Sequence, residues 1–264
     1  MNSGSRALGS PRTKRGRLSS PFSRDKIDKV ILQMPIDKAP GPDGFNGLFL
    51  KRCWHIVKED FYALCDDFFS GLLDLCAINS SFITLVPKNS NPTGVNDFRP
   101  ISLLNCVLKI LTKLLANRLQ GIITDIIHDN QYGFIKTRTI QDCLAWAFEY
   151  IYQCQHSKKE IVVLKLDFEK AFDTIEHSTI LNMLKHLGFD DLWISWIGKI
   201  LGSGTSAILL NNVPGNFFHC KRGVRQGDPL SPLLFMLAAE LLQYIINKER
   251  TLGILSFANP NHLH

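Results

Sequence analysis

Ile27, Val30, Ile31 and Met34 recur at the spacing of one helix face, and Pro35 ends that pattern as a short amphipathic helix. A turn-forming loop, Lys38 to Phe45, separates it from a helical stretch over about Leu48 to Leu73. Phe82 to Val86 predicts a strand, followed by Lys88, a polar loop through Asp97, and Phe98-Arg99-Pro100. Leu104 to Ile127 predicts a long helix with Lys109, Lys113 and Arg118 on its polar side, and Ile140 to Tyr152 predicts another. Ile161 to Leu166 is β-branched and apolar enough for a buried strand that ends on Asp167. Ser206 to Leu210 and Phe217 to Lys221 predict a hairpin around a turn from Asn211 to Gly215. Ser231 as cap and Pro232 as first residue then open an apolar helix to about Ile246. Helices alternating with short strands predict an α/β fold.

Composition narrows the setting. With 264 residues, 45% of them hydrophobic, the chain can bury a core without staples. No apolar run approaches the roughly 20 residues of a membrane span, and no secretory h-region opens the chain, so an intracellular address, nuclear or cytoplasmic, is expected. The seven cysteines form no C-x-x-C pair and sit mostly in apolar segments, which predicts core thiols and no disulfide partner. Of the net charge of +6, +5 lies in Arg6, Arg12, Lys14, Arg15 and Arg17; the other 25 basic and 24 acidic residues nearly cancel. Residues 1–22 therefore read as a disordered basic leader and 23–264 as the folded body, whose affinity for a polyanion must rest on particular positions.

The candidate chemistry centres on Asp167, a carboxylate between an apolar run and the helical residues that follow, either a metal-binding acid or an N-cap. Arg99, taken alone, reads as one half of a solvated ion pair. Phe172 reads as core packing, and Gly227-Asp228-Pro229 as a plain turn, unless neighbours give them another task.

In combination, KAPGPDGF (38–45), DFRPIS (97–102), KLDFEKAFD (165–173) and GVRQGDPLSP (223–232) resemble the reverse transcriptase domain of LINE-type, non-LTR retrotransposons, over roughly Pro21 to Arg250. The resemblance implies a fingers-like region mainly over 23–160 and an incomplete palm mainly over 161–264, an antiparallel sheet with packed helices. It implies Asp167 as the first catalytic aspartate, with the carbonyl of Phe168 beside it on Mg²⁺. It implies Lys88 and Arg99 on the triphosphate, Phe172 against the sugar 2′ position, and Gln226 and Gly227 beneath the incoming nucleotide. Substrates would be deoxynucleoside triphosphates, a DNA primer and template RNA.

The family's aromatic-x-Asp-Asp box and its thumb are not found before His264. Asp66-Asp67 falls inside a predicted helix and Asp190-Asp191 at a predicted helix start, so neither replaces the box. A truncated, inactive fragment is the expectation. The rivals are a non-catalytic nucleic-acid-binding remnant and another palm-type nucleotidyl-transfer enzyme, such as a nucleotide cyclase.

Overall fold

The computed structural model describes residues 18–158 and 160–253. Among the described residues eight α-helices surround one small sheet: α1 (Arg24–Gln33), α2 (Gly47–Ser70), α3 (Cys106–Gln120), α4 (Ile140–His156), α5 (Ala171–Thr174), α6 (His177–His186), α7 (Asp191–Gly202) and α8 (Ser231–Thr251). The strands are β1 (Ser80–Pro87), β2 (Phe98–Leu104), β3 (Thr205–Leu210), β4 (Val213–Pro214) and β5 (Phe218–His219). β1 pairs antiparallel with β2 and parallel with β3, while β4 and β5 pair antiparallel with β3. The α/β class is as expected, with one parallel pair in an otherwise antiparallel sheet. Among the described residues no helix is long and apolar enough to cross a membrane, and all seven cysteines carry free thiols.

Helix ends follow their local chemistry. The Asn46 side chain accepts the Phe49 amide at the start of α2, and Gly71, in the left-handed region at φ 76, ends it. Asp66 and Asp67 lie within α2, while Asp190 caps α7 by accepting the Trp193 amide at 2.8 Å. Trp193 and Trp196 are fully buried, with Phe22 and Phe68 packed on Trp196. The body therefore reaches back into the segment expected as leader. Leu18 and Phe22 are buried, the Arg118 guanidinium donates to the carbonyls of Leu18 at 2.6 Å and Pro21 at 2.9 Å, and it lies over the Phe22 ring.

Three expectations need correction. The long helix from Leu104 is shorter: Leu104 ends β2, and α3 begins at Cys106. A continuous apolar run fits a strand and a helix equally well, and Asn105 divides them by donating to the Ile78 carbonyl at 3.0 Å and to Ser80 Oγ at 2.8 Å. The hairpin turn is tighter than the five-residue turn expected. Asn211 and Asn212, at φ 49 and 63, form a two-residue loop between β3 and β4, a backbone state that asparagine tolerates well.

The largest correction is that Ile161 to Leu166 is not a buried strand. It has no assigned secondary structure, and Val162 is 96% and Leu164 76% exposed. A strand needs a ladder partner, and this segment takes part in none of the sheet's pairings. The outer side of β3 carries β4 and β5, and Ser102 in β2 donates its amide to the Gln226 carbonyl at 2.7 Å. Asp167 therefore does not end a sheet strand; it is exposed, just before the turn that precedes α5.

Candidate nucleotide site

Lys88 and Arg99 reach one place because β1 and β2 are hydrogen-bonded neighbours joined by a self-capped loop. Arg99 lies opposite Val86 in the ladder. The Lys88 amide donates to the Asp97 carbonyl at 2.7 Å, and its ammonium donates to the Asn96 carbonyl at 2.8 Å. Between them the Asp97 carboxylate accepts the amides of Gly94 at 2.9 Å and Thr93 at 2.8 Å. Those bonds hold its pKa below the usual carboxylate value.

The segment after Asp167 is bolted to the segment holding Gln226. Lys170 takes the left-handed conformation at φ 49, which turns the chain into α5. Val224 then donates to the Phe172 carbonyl and Gly223 to the Ile175 carbonyl, each at 2.7 Å. At Gly227 the backbone is both left-handed, at φ 116, and close to β2: an added Cβ would stand 2.6 Å from the Ser102 carbonyl oxygen.

The result is a cavity of about 430 Å³ lined by Lys88, Arg99, Lys170, Asp173 and Gln226, with Pro100 among its walls. Lys88, Arg99 and Gln226 are thus brought together. Lys170 and Asp173 join them without having been singled out; a left-handed lysine leaves no sequence signal, although Asp173 follows Phe172 directly. Asp167 and Phe168 are exposed and do not line this cavity. Phe172 is half-buried, stacked on Phe235 at 4.8 Å, and also stays out of the cavity. Three cationic side chains and the amides of Asn96 and Gln226, against the single Asp173 carboxylate, suit a phosphate-bearing ligand, and the volume suits one nucleotide.

The next residues of β2 and of the loop line a second cavity, of about 490 Å³: Ile101, Ser102 and Gly227, faced by Lys38, Lys109 and Lys113. Burial, and then the neighbouring Lys136 charge, hold the Lys113 ammonium below its usual pKa. Sequence reading had placed Lys109 and Lys113 only on a polar helix side.

Asp228 closes the loop. Its carboxylate, rather than the Ser231 hydroxyl, serves the start of α8: it accepts the Leu230 amide at 3.2 Å and the Ser231 hydroxyl at 3.0 Å. Ser231 is the first helical residue and donates instead of capping. Burial pushes the Asp228 pKa above its ordinary value. An acid raised in the folded state gives stability below its unfolded pKa, about 3.9, and loses it as pH rises through the folded pKa. Asp228→Asn keeps an acceptor for Leu230 and does not ionise. The native chain should therefore lose thermal stability relative to this variant as pH rises from about 4; a Tm difference that stays constant from acid to neutral pH would contradict the argument.

A family model for reverse transcriptase (RNA-dependent DNA polymerase) matches residues 86–258. The transposon TX1 149 kDa protein of Xenopus laevis is 29% identical over 242 residues, covering 90% of this chain and 18% of that protein. A Pol polyprotein from a type-1 retrotransposable element R2 of Popillia japonica is 33% identical over 175 residues, 65% of this chain and 24% of its own length. The RNA-directed DNA polymerase from mobile element jockey of Drosophila melanogaster is 26% identical over 233 residues, 84% of this chain and 25% of its own. The chain thus spans a quarter or less of the length of each of these relatives. With the motif residues on β1, β2, α5 and the loop before α8 all inside or bordering the matched segment, the chain belongs to the reverse transcriptase (RNA-dependent DNA polymerase) family, in its LINE-type, non-LTR retrotransposon branch.

Proposed function

We propose that this chain holds the incoming nucleotide and the template for RNA-directed DNA polymerisation. The observation that carries the reading is that Lys88, Arg99 and Gln226, from three separate segments, line one nucleotide-sized cavity. There Arg99 and Lys88 would grip the triphosphate of a deoxynucleoside triphosphate, and the Gln226 amide would orient its sugar or the paired template base. A DNA primer 3′-hydroxyl attacks the α-phosphorus and pyrophosphate leaves. Phe172 does not line this cavity, so a part for it as the barrier to a 2′-hydroxyl rests on its motif alone.

Mg²⁺ commonly takes one or two carboxylates and fills its shell with phosphate oxygens and water. Asp167, with the Phe168 carbonyl, would hold such an ion; both residues are exposed and outside the cavity, and among the described residues no group of three or more His, Cys, Asp or Glu is arranged around a metal position. When bound, the ion offsets charge that builds on the transferring phosphoryl group.

Template RNA would lie in the neighbouring cavity, its phosphates facing Lys38, Lys109 and Lys113. Affinity for single-stranded RNA, measured by titration across salt concentrations, should show a log–log slope that falls by roughly one for each of Lys109→Ala and Lys113→Ala. An unchanged slope in both variants would remove the template from this cavity. A second reading, a non-catalytic RNA-binding protein, draws support from the exposure of Asp167 on an unpaired segment. RNA binding with no affinity for dGTP in Mg²⁺ would favour it.

A further inference from the structure

Gln226 can meet a nucleotide in one orientation only if its short loop is fixed relative to the strand that carries Arg99. The loop has one direct bond to that strand, Ser102 N–H to the Gln226 carbonyl at 2.7 Å. The preceding residue supplies a second anchor on the other side of the sheet. One Arg225 Nη donates to the side-chain carbonyl of Asn79; the other donates to the Asn79 backbone carbonyl at 3.2 Å and to the Thr205 carbonyl at 3.0 Å. Asn79 is itself fully buried and held by α7, its Nδ2 donating to the Ile200 carbonyl at 2.7 Å and to Ser203 Oγ at 2.8 Å. The three acceptors therefore sit on the residue entering β1 and the first residue of β3, and a planar fork satisfies them where a point-charge ammonium cannot.

We infer that Arg225 is a positioning residue that sets the Gln226 side chain in the nucleotide cavity by locking its loop to Asn79 and Thr205. This rests on the reading of that cavity as a nucleotide site. Room for the guanidinium comes from Gly204, where an added Cβ would stand 2.7 Å from Arg225 Nη2. Gly204→Ala thus displaces the fork while leaving every donor and acceptor in place.

The test uses the chain with Arg225→Lys, Gly204→Ala and Gln226→Ala, and Arg225→Lys combined with Gln226→Ala. Amide hydrogen exchange at Ser102 reports the loop without any ligand. In Arg225→Lys and Gly204→Ala it should quicken by about tenfold relative to the amides that bond β1 to β2, which a uniform loss of stability would not produce. Affinity for dGTP in Mg²⁺ should fall about tenfold in Arg225→Lys, and by less than about twofold when the same change is made in Gln226→Ala, because the effect passes through Gln226. If Arg225→Lys does not fold, Gly204→Ala carries both measurements. Ser102 exchange that tracks the ladder amides overturns the inference, and so do losses of affinity that multiply in the double variant. If dGTP does not bind the native chain, the nucleotide reading falls, and Ser102 exchange alone decides whether Arg225 holds the loop.

Discussion

Arg99→Ala should weaken the binding of dGTP by about 10- to 100-fold, because a hydrogen bond to a charged group contributes about 1.5–3 kcal/mol and Lys88 cannot replace it. The Lys88 ammonium has one of its three donors on the Asn96 carbonyl at 2.8 Å and offers the triphosphate a point charge in place of a two-pronged fork. Arg99→Lys should lie between the native chain and Arg99→Ala, since it keeps the charge and loses the fork that matches two phosphate oxygens at once. The Arg99 side chain is exposed, so neither change should move folding stability by more than about 0.5 kcal/mol. Titration with dGTP at fixed Mg²⁺ and ionic strength separates these outcomes. Equal affinities in all three proteins would take the triphosphate out of the cavity beside β2.

The residues of this cavity divide by how far their placement depends on distant partners. Lys88 and Arg99 were legible only through the resemblance: Phe82 to Val86 predicts one strand, nothing predicts β2, and it is the pairing of β1 with β2 that brings the two residues together. Gln226 was legible only through the company of its motif. Lys170 and Asp173 were not legible, since their position follows from a left-handed lysine and from two hydrogen bonds to Gly223 and Val224, far along the chain. Ile161 to Leu166 shows the opposite failure. Its apolar, β-branched pattern is real, but pattern reports side-chain preference and not whether a ladder partner receives the backbone. Helices fared better because their hydrogen bonds are internal: α1, α2 and α7 lie close to where periodicity and caps place them. Asp228 and Ser231 illustrate the limit of cap reading, since both can serve a helix start and only the hydrogen bonds, with Asp228 accepting from Leu230 and Ser231, decide between them.

A large stability effect from a one-carbon change is expected in the loop Lys38 to Phe45, at Gly41. An added Cβ there would stand 2.3 Å from both the carbonyl carbon and oxygen of Leu104 and 2.6 Å from the Asn105 nitrogen, all backbone atoms that cannot rotate away. Gly41→Ala must therefore push the loop off the end of β2. That movement also withdraws Asp43, whose carboxylate accepts the Cys106 amide at 2.5 Å at the start of α3 and whose own amide donates to Asn105 at 2.9 Å. Overpacking together with a lost cap should cost about 2–4 kcal/mol, a large part of the roughly 5–15 kcal/mol available to a domain. Gly44→Ala provides the contrast: its φ of +74 disfavours alanine, but nothing lies within 4 Å of the new Cβ, so the cost should stay near about 1 kcal/mol. Urea denaturation with an unchanged m-value measures both. Because Lys109 and Lys113 follow Cys106 by about one and two helical turns, the Gly41 variant should also lose RNA affinity under conditions where it is still folded, and the Gly44 variant should not. A Gly41→Ala protein as stable as Gly44→Ala would show that the loop does not bear on β2 and that the start of α3 is held by something else.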